Sequence, residues 1–389
     1  MIKRLIIASF VAFVIASVGH FYLYLRLAVP ISEEFSYWSG PIFVGLWALT
    51  FFGFPVLRIL PSKWRSTIEI PMFTWMGIAY IFVLICFLTS PISLFLKWMH
   101  WDETPLAIFV WVSGLVLSLH SIYRANSDED VIVTEISLPN KRFPGLEHVK
   151  MVVLSDIHVS GLIKSKRMKS LVQKVNQIRP DLILITGDLV DGSVQQLKNE
   201  VEPLKKLISA HGVLYITGNH EYYSGARRWK EYLASEFGWK VLSNESIKLE
   251  VRGVPFLFLG LEDRSWLSMN KLNKHDDPRL KLAMSNVTEE EIKSHVTILL
   301  AHQPKDFYHT KSVPGIDLQI SGHTHSGQFW PLYLLVKNDQ TYNAGLYEMG
   351  GGQLIYVNQG TGFWGPPMRL GTRCEISTLI FSSQRKDLV

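Results

Sequence analysis

Residues 149–158 read VKMVVLSDIH, a short apolar run that ends in an aspartate and a histidine. The run from Val149 to Ser155 is rich in β-branched residues and has the length of a buried strand. Asp156 and His158 follow it two positions apart, and alternate side chains of an extended chain point the same way. The segment therefore predicts a central strand whose carboxyl end presents two candidate ligands to one site.

The same arrangement recurs four times further along the chain. The later apolar runs are Leu182–Thr186, Val213–Thr217, Val296–Leu300 and Ile316–Ser321. They are followed by the polar clusters GDLVD (187–191), GNHE (218–221), AHQP (301–304) and GHTH (322–325). In open α/β sheets, ligands bind at the carboxyl ends of the strands. We therefore expect the five clusters to converge on one site.

The segments between these runs predict the architecture. Amphipathic stretches at Lys166–Ile178 and Gln196–Ala210 separate the early runs, which indicates βαβ units and a largely parallel sheet. The later part has more strand-like segments, at Ile247–Val251, Phe256–Leu261, Gln353–Val357 and Glu375–Phe381. These predict a second, mixed sheet.

The residue types in the five clusters suit divalent metal ions. Asp, His and Asn supply oxygen and imidazole nitrogen donors, a mixture that fits Mn²⁺, Fe²⁺ or Zn²⁺. The chain has two cysteines, Cys86 and Cys374, and neither lies in a cluster, which excludes a Cys-based zinc site. One such cluster alone is common in proteins, but five of them at strand ends are hard to explain by packing. The sequence therefore predicts a binuclear site, with Asp188 well placed to bridge two ions.

Residues from Val149 to about Phe381 resemble the calcineurin-like metallophosphoesterase superfamily, whose motifs are D-x-H, G-D-x-x-D, G-N-H-E, H and G-H-x-H. All five motifs are present in the segments quoted above. The stretch SGHTHSGQ (321–328) resembles the membrane-associated bacterial branch, which usually has Gly where this chain has Ser326. The resemblance implies an α/β, four-layer sandwich of two mixed β-sheets flanked by helices.

The resemblance also implies the roles of the site residues. Seven side chains are implied as metal ligands: Asp156, His158 and His325 for the first ion, Asn219, His302 and His323 for the second, and Asp188 for both. The expected reaction is hydrolysis of a phosphomonoester or phosphodiester by a hydroxide that bridges two ions roughly 3.5–4 Å apart.

Residues outside the ligand set are expected to assist this reaction. His220 would donate a proton to the leaving alkoxide, because the pKa of a histidine lies near working pH. Asp191 is expected to orient a ligand or to cap a turn rather than to bind metal. Tyr222 and Tyr223 are expected either to line the pocket or to pack in the core.

The N-terminal third of the chain is apolar. Its four apolar stretches are Leu5–Leu25, Pro41–Leu57, Met72–Leu88 and Pro105–Tyr123, and a bilayer core needs ~20 such residues, with a usable range of roughly 17–25. The first stretch is too long for the apolar region of a signal peptide, and no small-x-small cleavage site ends it. We therefore expect a transmembrane region of about four helices at residues 1–124, followed by the metallophosphoesterase domain at residues 125–389.

Loop charges predict the orientation of this region. Lys3 and Arg4 precede the first stretch, and Arg58, Lys63 and Arg65 lie between the second and the third. The loops on the other side are richer in acidic residues. Since cytoplasmic loops carry the excess of Lys and Arg, the catalytic domain is expected to be cytoplasmic.

Two alternative functions make different demands on the sequence. A nuclease of the same superfamily would favour a basic groove with stacking aromatics; Lys164, Lys166, Arg167 and Lys169 do cluster, but on an amphipathic stretch that favours a solvated helix face. The net charge of +5 fits a domain near an anionic membrane surface, and no nucleic-acid partner is expected.

A non-catalytic membrane scaffold would be expected to lose ligands or the proton donor, whereas this chain has all of them.

The membrane anchor favours a lipid-linked or membrane-surface phosphoester, such as a phospholipid or a nucleotide-linked lipid, because tethering raises the effective concentration at the membrane. The segment GFWGPP (362–367) predicts a rigid loop. Phe363 and Trp364 are expected either to meet the membrane interface or to pack at the sheet edge or beside the metal site. Arg369 is expected either to pair with a phosphate or to be a surface charge.

Overall fold

The chain folds into two compact units. The computed structural model describes residues 2–60, 62–127, 129–138, 143–273, 277–310, 313–350 and 352–382. The first unit is Met1–Asn126 together with Gly365–Leu370, and the second is Ser127–Trp364 together with Gly371–Val389. The first unit is therefore discontinuous in sequence.

The first unit is helical. Its helices are α1 (Ile2–Leu27), α2 (Glu33–Ile59), α3 (Ser62–Leu88), α4 (Ser90–Trp98) and α5 (Thr104–Asn126). Among the described residues four segments are long and apolar enough to cross a membrane: Ser9–Leu27, Glu33–Leu57, Trp64–Leu88 and Thr104–Asn126. The four predicted long apolar helices are thus confirmed. All four helices extend beyond the predicted apolar stretches. The extension is longest at the N-terminal ends of α2 and α3, where Pro41 and Pro71 lie inside the helix.

Several polar side chains of the first unit form hydrogen bonds within that unit. Trp75 Nε1 donates to His20 Nε2 over 2.9 Å, and His20 Nδ1 lies 2.7 Å from the carbonyl oxygen of Ala16. Trp111 Nε1 donates to the carbonyl oxygen of Leu27 over 2.9 Å. Polar groups in apolar surroundings need hydrogen-bond partners within the protein, because no water is available there to bond to them.

The segment Gly365–Leu370 packs on α3 and α5. The backbone N–H of Arg369 donates to the carbonyl oxygen of Ser121 over 2.9 Å. A Cβ at Gly77 would lie 2.3 Å from Sδ of Met368, so the absent side chain at Gly77 makes room for the methionine. Arg369 is fully buried, which makes the predicted surface charge wrong.

The second unit contains two six-stranded sheets. The strands are β1 (Asp130–Ser137), β2 (Lys150–Leu154), β3 (Leu182–Ile185), β4 (Val213–Tyr215), β5 (Lys240–Val241), β6 (Glu245–Val251), β7 (Val254–Gly260), β8 (Val296–Leu300), β9 (Leu318–Ser321), β10 (Gly345–Gly350), β11 (Gln353–Val357) and β12 (Glu375–Ser382). The strand orders are β1-β12-β2-β3-β4-β5 and β10-β11-β9-β8-β7-β6. Both sheets mix parallel and antiparallel pairs, for example β2 with β3 and β12 with β2. The predicted sandwich of two mixed sheets flanked by helices is confirmed.

Nine helices of the described part of this unit connect the strands: α6 (Ser165–Ile178), α7 (Val194–Val201), α8 (Asn219–Ser224), α9 (Ala226–Phe237), α10 (Ser265–Met269), α11 (Arg279–Ala283), α12 (Glu289–Ser294), α13 (Phe307–Thr310) and α14 (Tyr333–Gln340). Helix α6 matches the predicted stretch at Lys166–Ile178. The stretch predicted at Gln196–Ala210 is shorter, since α7 ends at Val201 and a 3₁₀ turn follows at Glu202–Lys206. Pro203 has no N–H to continue the α-helical ladder there.

The hydrophobic core lies between the two sheets. Its members include Val153 and Leu184 of the first sheet and Phe258, Leu300 and Ile320 of the second, all buried. Strands β2, β3 and β4 are mutually parallel, as are β8 and β9. Parallel strands end at the same edge of a sheet, so this packing brings the five predicted clusters to one side of the sandwich.

Candidate metal centre

The loops that follow the five strands touch one another at the edge of the sandwich. Backbone N–H groups of Asp156 and His158 donate to the carbonyl oxygens of Gly187 and Asp188, over 3.0 and 3.1 Å. A Cβ at Gly322 would lie 1.8 Å from Oγ of Ser155, so only glycine allows this approach of the fifth loop to the first. Six of the seven predicted ligands lie in these loops, and Asn219 begins the helix that follows the third of them.

One group of metal-type ligands consists of Asp156, His158 and His325, all of them buried. Nε2 of His158 lies 3.0 Å from Nε2 of His325, and Nε2 of His325 lies 3.4 Å from Oδ1 of Asp156. The donor atoms thus face a common point. A divalent ion with nitrogen and oxygen ligands could be held there.

A second group consists of Asp188, His302 and His323. Nε2 of His302 lies 3.2 Å from Oδ2 of Asp188 and 3.2 Å from Nδ1 of His323. The same Oδ2 atom of Asp188 lies 3.9 Å from Nε2 of His158, which belongs to the first group. Asp188 is therefore the member of the second group that also faces the first.

Asn219 is the first residue of α8 and directly follows the third strand-end turn. Its Oδ1 atom is buried and has no hydrogen-bond partner within the described part of the chain. A buried amide oxygen without a partner costs free energy, roughly 1–3 kcal/mol. An oxygen of this kind suits a metal ion, and the arrangement fits the expected binuclear site.

Two of the histidines are oriented by their other ring nitrogen. Nδ1 of His302 lies 2.7 Å from the carbonyl oxygen of Thr186, and Nδ1 of His158 lies 3.0 Å from Oδ1 of Asp191. With Nδ1–H donating to these acceptors, Nε2 of each ring is left free to bind a metal. Asp191 therefore orients the candidate ligand His158, which is the first of the two roles expected for it.

Five of the seven candidate ligands have left-handed backbone conformations. The φ values are +52° for Asp156, +52° for His158, +51° for Asp188, +69° for His323 and +48° for His325. Residues with a Cβ rarely adopt such angles, and they persist where surrounding bonds over-determine the backbone. Such strain concentrates at functional sites.

Glu221 connects two of the loops and received no role from the sequence. Its buried carboxylate accepts backbone N–H bonds from Gly218 at 2.6 Å, Asp188 at 3.0 Å, Leu189 at 2.7 Å and Val190 at 3.3 Å. Burial and the charge of Asp188 raise its pKa to about 7. The signal that could have found it is a glutamate at the third position of a helix, which commonly caps the helix start.

His220 lies beside the ligands and shares an acceptor with one of them. Its Nδ1 atom lies 2.5 Å from the Oδ1 atom of Asp191 that also contacts His158. Burial lowers the pKa of His220, but the bond to Asp191 and the charge of Asp188 outweigh burial and raise it. A raised pKa favours the protonated imidazole that an acid catalyst needs.

The two expected pocket tyrosines differ in their surroundings. Tyr222 donates its hydroxyl to Glu262, which also pairs with Lys230, so that Tyr222 belongs to a structural network. Tyr223 is exposed, and its ring centroid lies 5.4 Å from that of His220. Of the two, Tyr223 contacts a candidate catalytic group.

Acidic neighbours raise the pKa of two candidate ligand histidines, His158 and His302. Burial would lower the pKa of His158, but the charges of Asp191, Asp188 and Asp156 raise it to about 9. The pKa of His302 is raised well above its usual range, because Asp188 outweighs burial. The carboxylates thus favour the protonated form of these two histidines, whereas a bound metal cation would favour the neutral form.

The basic cluster that a nuclease groove would require is partly engaged within the fold. Arg167 donates to Glu129 over 2.9 Å, and its guanidinium lies 5.6 Å from the ring centroid of Phe363. Lys174 also pairs with Glu129. These contacts give Arg167 a packing role.

Comparison with known proteins places these residues in a family context. The family model of the calcineurin-like phosphoesterases matches residues 149–327. An uncharacterized metallophosphoesterase of Campylobacter jejuni is 30% identical over 394 residues, which cover 96% of this chain and 98% of that protein. The match therefore includes the helical first unit.

Two further relatives match a smaller part. An uncharacterized metallophosphoesterase of Helicobacter pylori strain J99 is 39% identical over 233 residues, 60% of each chain, so this chain spans about 60% of that relative's length. A bovine (Bos taurus) transmembrane protein with a metallophosphoesterase domain is 34% identical over 266 residues, which cover 66% of this chain and 59% of that protein.

Proposed function

We propose that this chain, which belongs to the calcineurin-like metallophosphoesterase family, is a membrane-anchored hydrolase of phosphomonoester or phosphodiester bonds. Two divalent metal ions would take part in the reaction. The observation that carries the proposal is the pair of His/Asp groups on either side of the Asp188 carboxylate. Two such groups around one carboxylate are suited to two ions a short distance apart.

The proposed ligands are those implied by the sequence motifs. Asp156, His158 and His325 would hold one ion; Asn219, His302 and His323 would hold the other; Asp188 would contact both. The buried Oδ1 atom of Asn219 supports this set, because it has no hydrogen-bond partner among the described residues. The mixed nitrogen and oxygen donors suit Mn²⁺, Fe²⁺ or Zn²⁺.

The metal ions would supply Lewis acidity, which polarises the phosphoester and lowers the pKa of water toward ~7. The residues of the chain would do the rest. His220 would give its Nε2 proton to the oxygen of the leaving alcohol, and the Asp191 carboxylate would hold the ring by its Nδ1–H. Because Asp191 also orients His158, proton donation and metal binding share one positioning residue.

The site assignment is tested with the full-length enzyme, purified in detergent and loaded with Mn²⁺. Hydrolysis of p-nitrophenyl phosphate or of bis(p-nitrophenyl) phosphate is expected, with loss of turnover on chelation and recovery on Mn²⁺ addition. The two esters also separate monoester from diester preference. Absence of hydrolysis of both esters by enzyme that carries two ions per chain would overturn the proposal.

We also propose that the substrate is a lipid-linked or membrane-surface phosphoester and that the catalytic unit is cytoplasmic. The four long apolar helices and the similarity to a transmembrane metallophosphoesterase support membrane attachment. In liposomes, the full-length enzyme is offered phospholipids, nucleotide-linked lipids and short-chain soluble esters with the same head groups. Preferred cleavage of the membrane-embedded esters is expected, and equal turnover of the soluble ones would contradict the lipid-linked substrate.

A further inference from the structure

Two exposed aromatic rings flank His220. The ring centroid of Tyr223 lies 5.4 Å from that of His220 at an interplanar angle of 68°, and that of Trp364 lies 5.9 Å away at 76°. The exposed fractions of Tyr223 and Trp364 are 75% and 56%. Single exposed aromatic residues are ordinary on protein surfaces. An exposed ring that is fixed in position beside a candidate catalytic group is better suited to binding a ligand.

The backbone of Trp364 is held by the loop that carries His323 and His325. Gln328 Nε2 donates to the carbonyl oxygen of Trp364, and the N–H of Trp364 donates to Gln328 Oε1, each over 2.9 Å. Gln328 is buried, and its own N–H donates to the carbonyl oxygen of His325 over 2.9 Å. Trp364 is therefore fixed to a ligand loop by two parallel hydrogen bonds.

The residues before Trp364 are held by the loop that carries Asp156 and His158. The N–H of Thr361 donates to the carbonyl oxygen of Ser155 over 2.7 Å, and the N–H of Gly362 donates to the backbone carbonyl oxygen of Asp156 over 2.9 Å. A Cβ at Gly362 would lie 2.1 Å from the carbonyl oxygen of Ile157, so the close approach requires glycine.

The two neighbouring aromatic residues of this segment differ in burial. Phe363 is 3% exposed and packs under the guanidinium of Arg167, whereas Trp364 presents much of its ring to solvent. Buried Phe363 thus fixes the segment to the fold. The hydrogen-bonded backbone then holds the exposed ring of Trp364 next to His220. A displayed apolar ring on a rigid support next to a proton donor is suited to binding a ligand.

We propose that Trp364 and Tyr223 bind the leaving group, and that the substrate is a phosphoester of an alcohol with an apolar body. The inference rests on the proposed function, in which His220 protonates the leaving oxygen. In that step a water oxygen bonds to phosphorus, the bond from phosphorus to the alcohol oxygen breaks, and the proton of His220 goes to that oxygen. The carbon skeleton on the leaving oxygen then lies beside the two rings around His220.

The test uses esters that share one type of leaving group but differ in apolar surface. Methyl, butyl and octyl phosphate, and their methyl diesters, all release primary alcohols of similar acidity. The readout is the ratio of kcat/KM for the octyl ester to that for the methyl ester, measured below the concentration at which the octyl ester aggregates. Full-length wild type is compared with Trp364→Ala, Trp364→Phe and Tyr223→Ala.

Ile208→Ala is the matched control, because Ile208 is also an exposed apolar residue but precedes β4, at the end opposite to the ligand loops. The wild-type ratio is expected to exceed one, and Trp364→Ala is expected to lower it about tenfold, through KM, since apolar contact is lost. Trp364→Phe is expected to restore most of the ratio, and Ile208→Ala to leave it unchanged. A second pair, benzyl and cyclohexylmethyl phosphate, distinguishes an aromatic leaving group from an aliphatic one.

Three results separate the inference from the function on which it rests. If Mn²⁺-loaded wild type hydrolyses none of the esters, the proposed function fails. If wild type hydrolyses methyl and octyl esters with equal kcat/KM, only the leaving-group inference fails. If Trp364→Ala loses its metals through misfolding, Tyr223→Ala decides, because Tyr223 is largely exposed; an unchanged ratio in that variant overturns the inference.

Discussion

The Nδ1 atom of His220 lies 2.5 Å from Oδ1 of Asp191. The carboxylate that holds the candidate proton donor thus also contacts a candidate metal ligand, His158. The arrangement makes proton donation and metal binding separately testable, because His220 is not one of the seven proposed metal ligands.

His220→Ala is expected to lower kcat on esters of poor leaving groups about 10²–10⁴-fold, the usual contribution of general-acid catalysis. Esters of p-nitrophenol should be affected less, because that leaving group departs without a proton. Metal content, measured by elemental analysis, should stay at the wild-type value. Equal losses on both ester types would remove the proton-donor assignment.

Asp191→Asn is expected to move the alkaline limb of the pH profile of kcat to lower pH. The bond to Asp191 raises the pKa of His220, and an acid catalyst is active only below its pKa. Loss of the carboxylate charge therefore lowers the pH at which activity declines. A profile identical to that of wild type would contradict the role of Asp191.

Asp188→Asn is expected to be the most damaging single ligand change, because it removes the negative charge from a position between both ligand groups. Bound metal should fall to at most about one ion per chain, with loss of activity on every ester. Asp339→Asn, at an exposed carboxylate of α14, is the matched control and should keep both. Full metal occupancy in Asp188→Asn would refute the shared-ligand assignment.

Glu221→Gln is expected to weaken metal binding about 10–100-fold, as loss of a supporting partner around a metal site commonly does. Both carboxylate oxygens accept backbone N–H bonds, so the amide NH₂ would face donors instead of acceptors. Affinity is measured by competition with a metal-sensitive dye. Glu290→Gln, an exposed glutamate of α12, should bind metal as wild type does.

Metal loading is expected to release protons at pH 7 and to tighten as pH rises. The pKa of His158 is raised to about 9 in the metal-free site, so its imidazole is protonated below that pH and must lose the proton to bind a metal. Titration calorimetry in buffers of different ionisation enthalpy measures the number of protons, and a value of zero would contradict the expectation.

The membrane orientation is tested with single cysteines. Cys86 and Cys374 are buried, and Tyr223 and His100 are exposed positions on the second and the first unit. With a cytoplasmic catalytic unit, a membrane-impermeant maleimide should label His100→Cys in intact cells and Tyr223→Cys only after lysis. The reverse pattern would place the catalytic unit outside.

The sequence predicts most of the second unit, because buried parallel strands are continuous apolar runs and each candidate ligand directly follows one. The sequence predicts an element less well where the element is short or where its partner is distant in the chain. Strand β1 pairs with β12, which is distant in sequence, and α4 has only nine residues. Gln328 could not be assigned from sequence, since its role depends on the position of Trp364 in a separate loop.

The packing of Gly365–Leu370 on α3 and α5 has a consequence for how the chain is made. Helices α3 and α5 are synthesised long before residue 370, so the space at Gly77 receives Met368 only after the intervening residues of the second unit have been made. The helical unit therefore reaches its final packing only after Ser127–Trp364 of the second unit has been translated. A chain that stops before Gly365 therefore lacks the contacts of Met368 with Gly77 and of Arg369 with Ser121, and its helical unit stays incomplete.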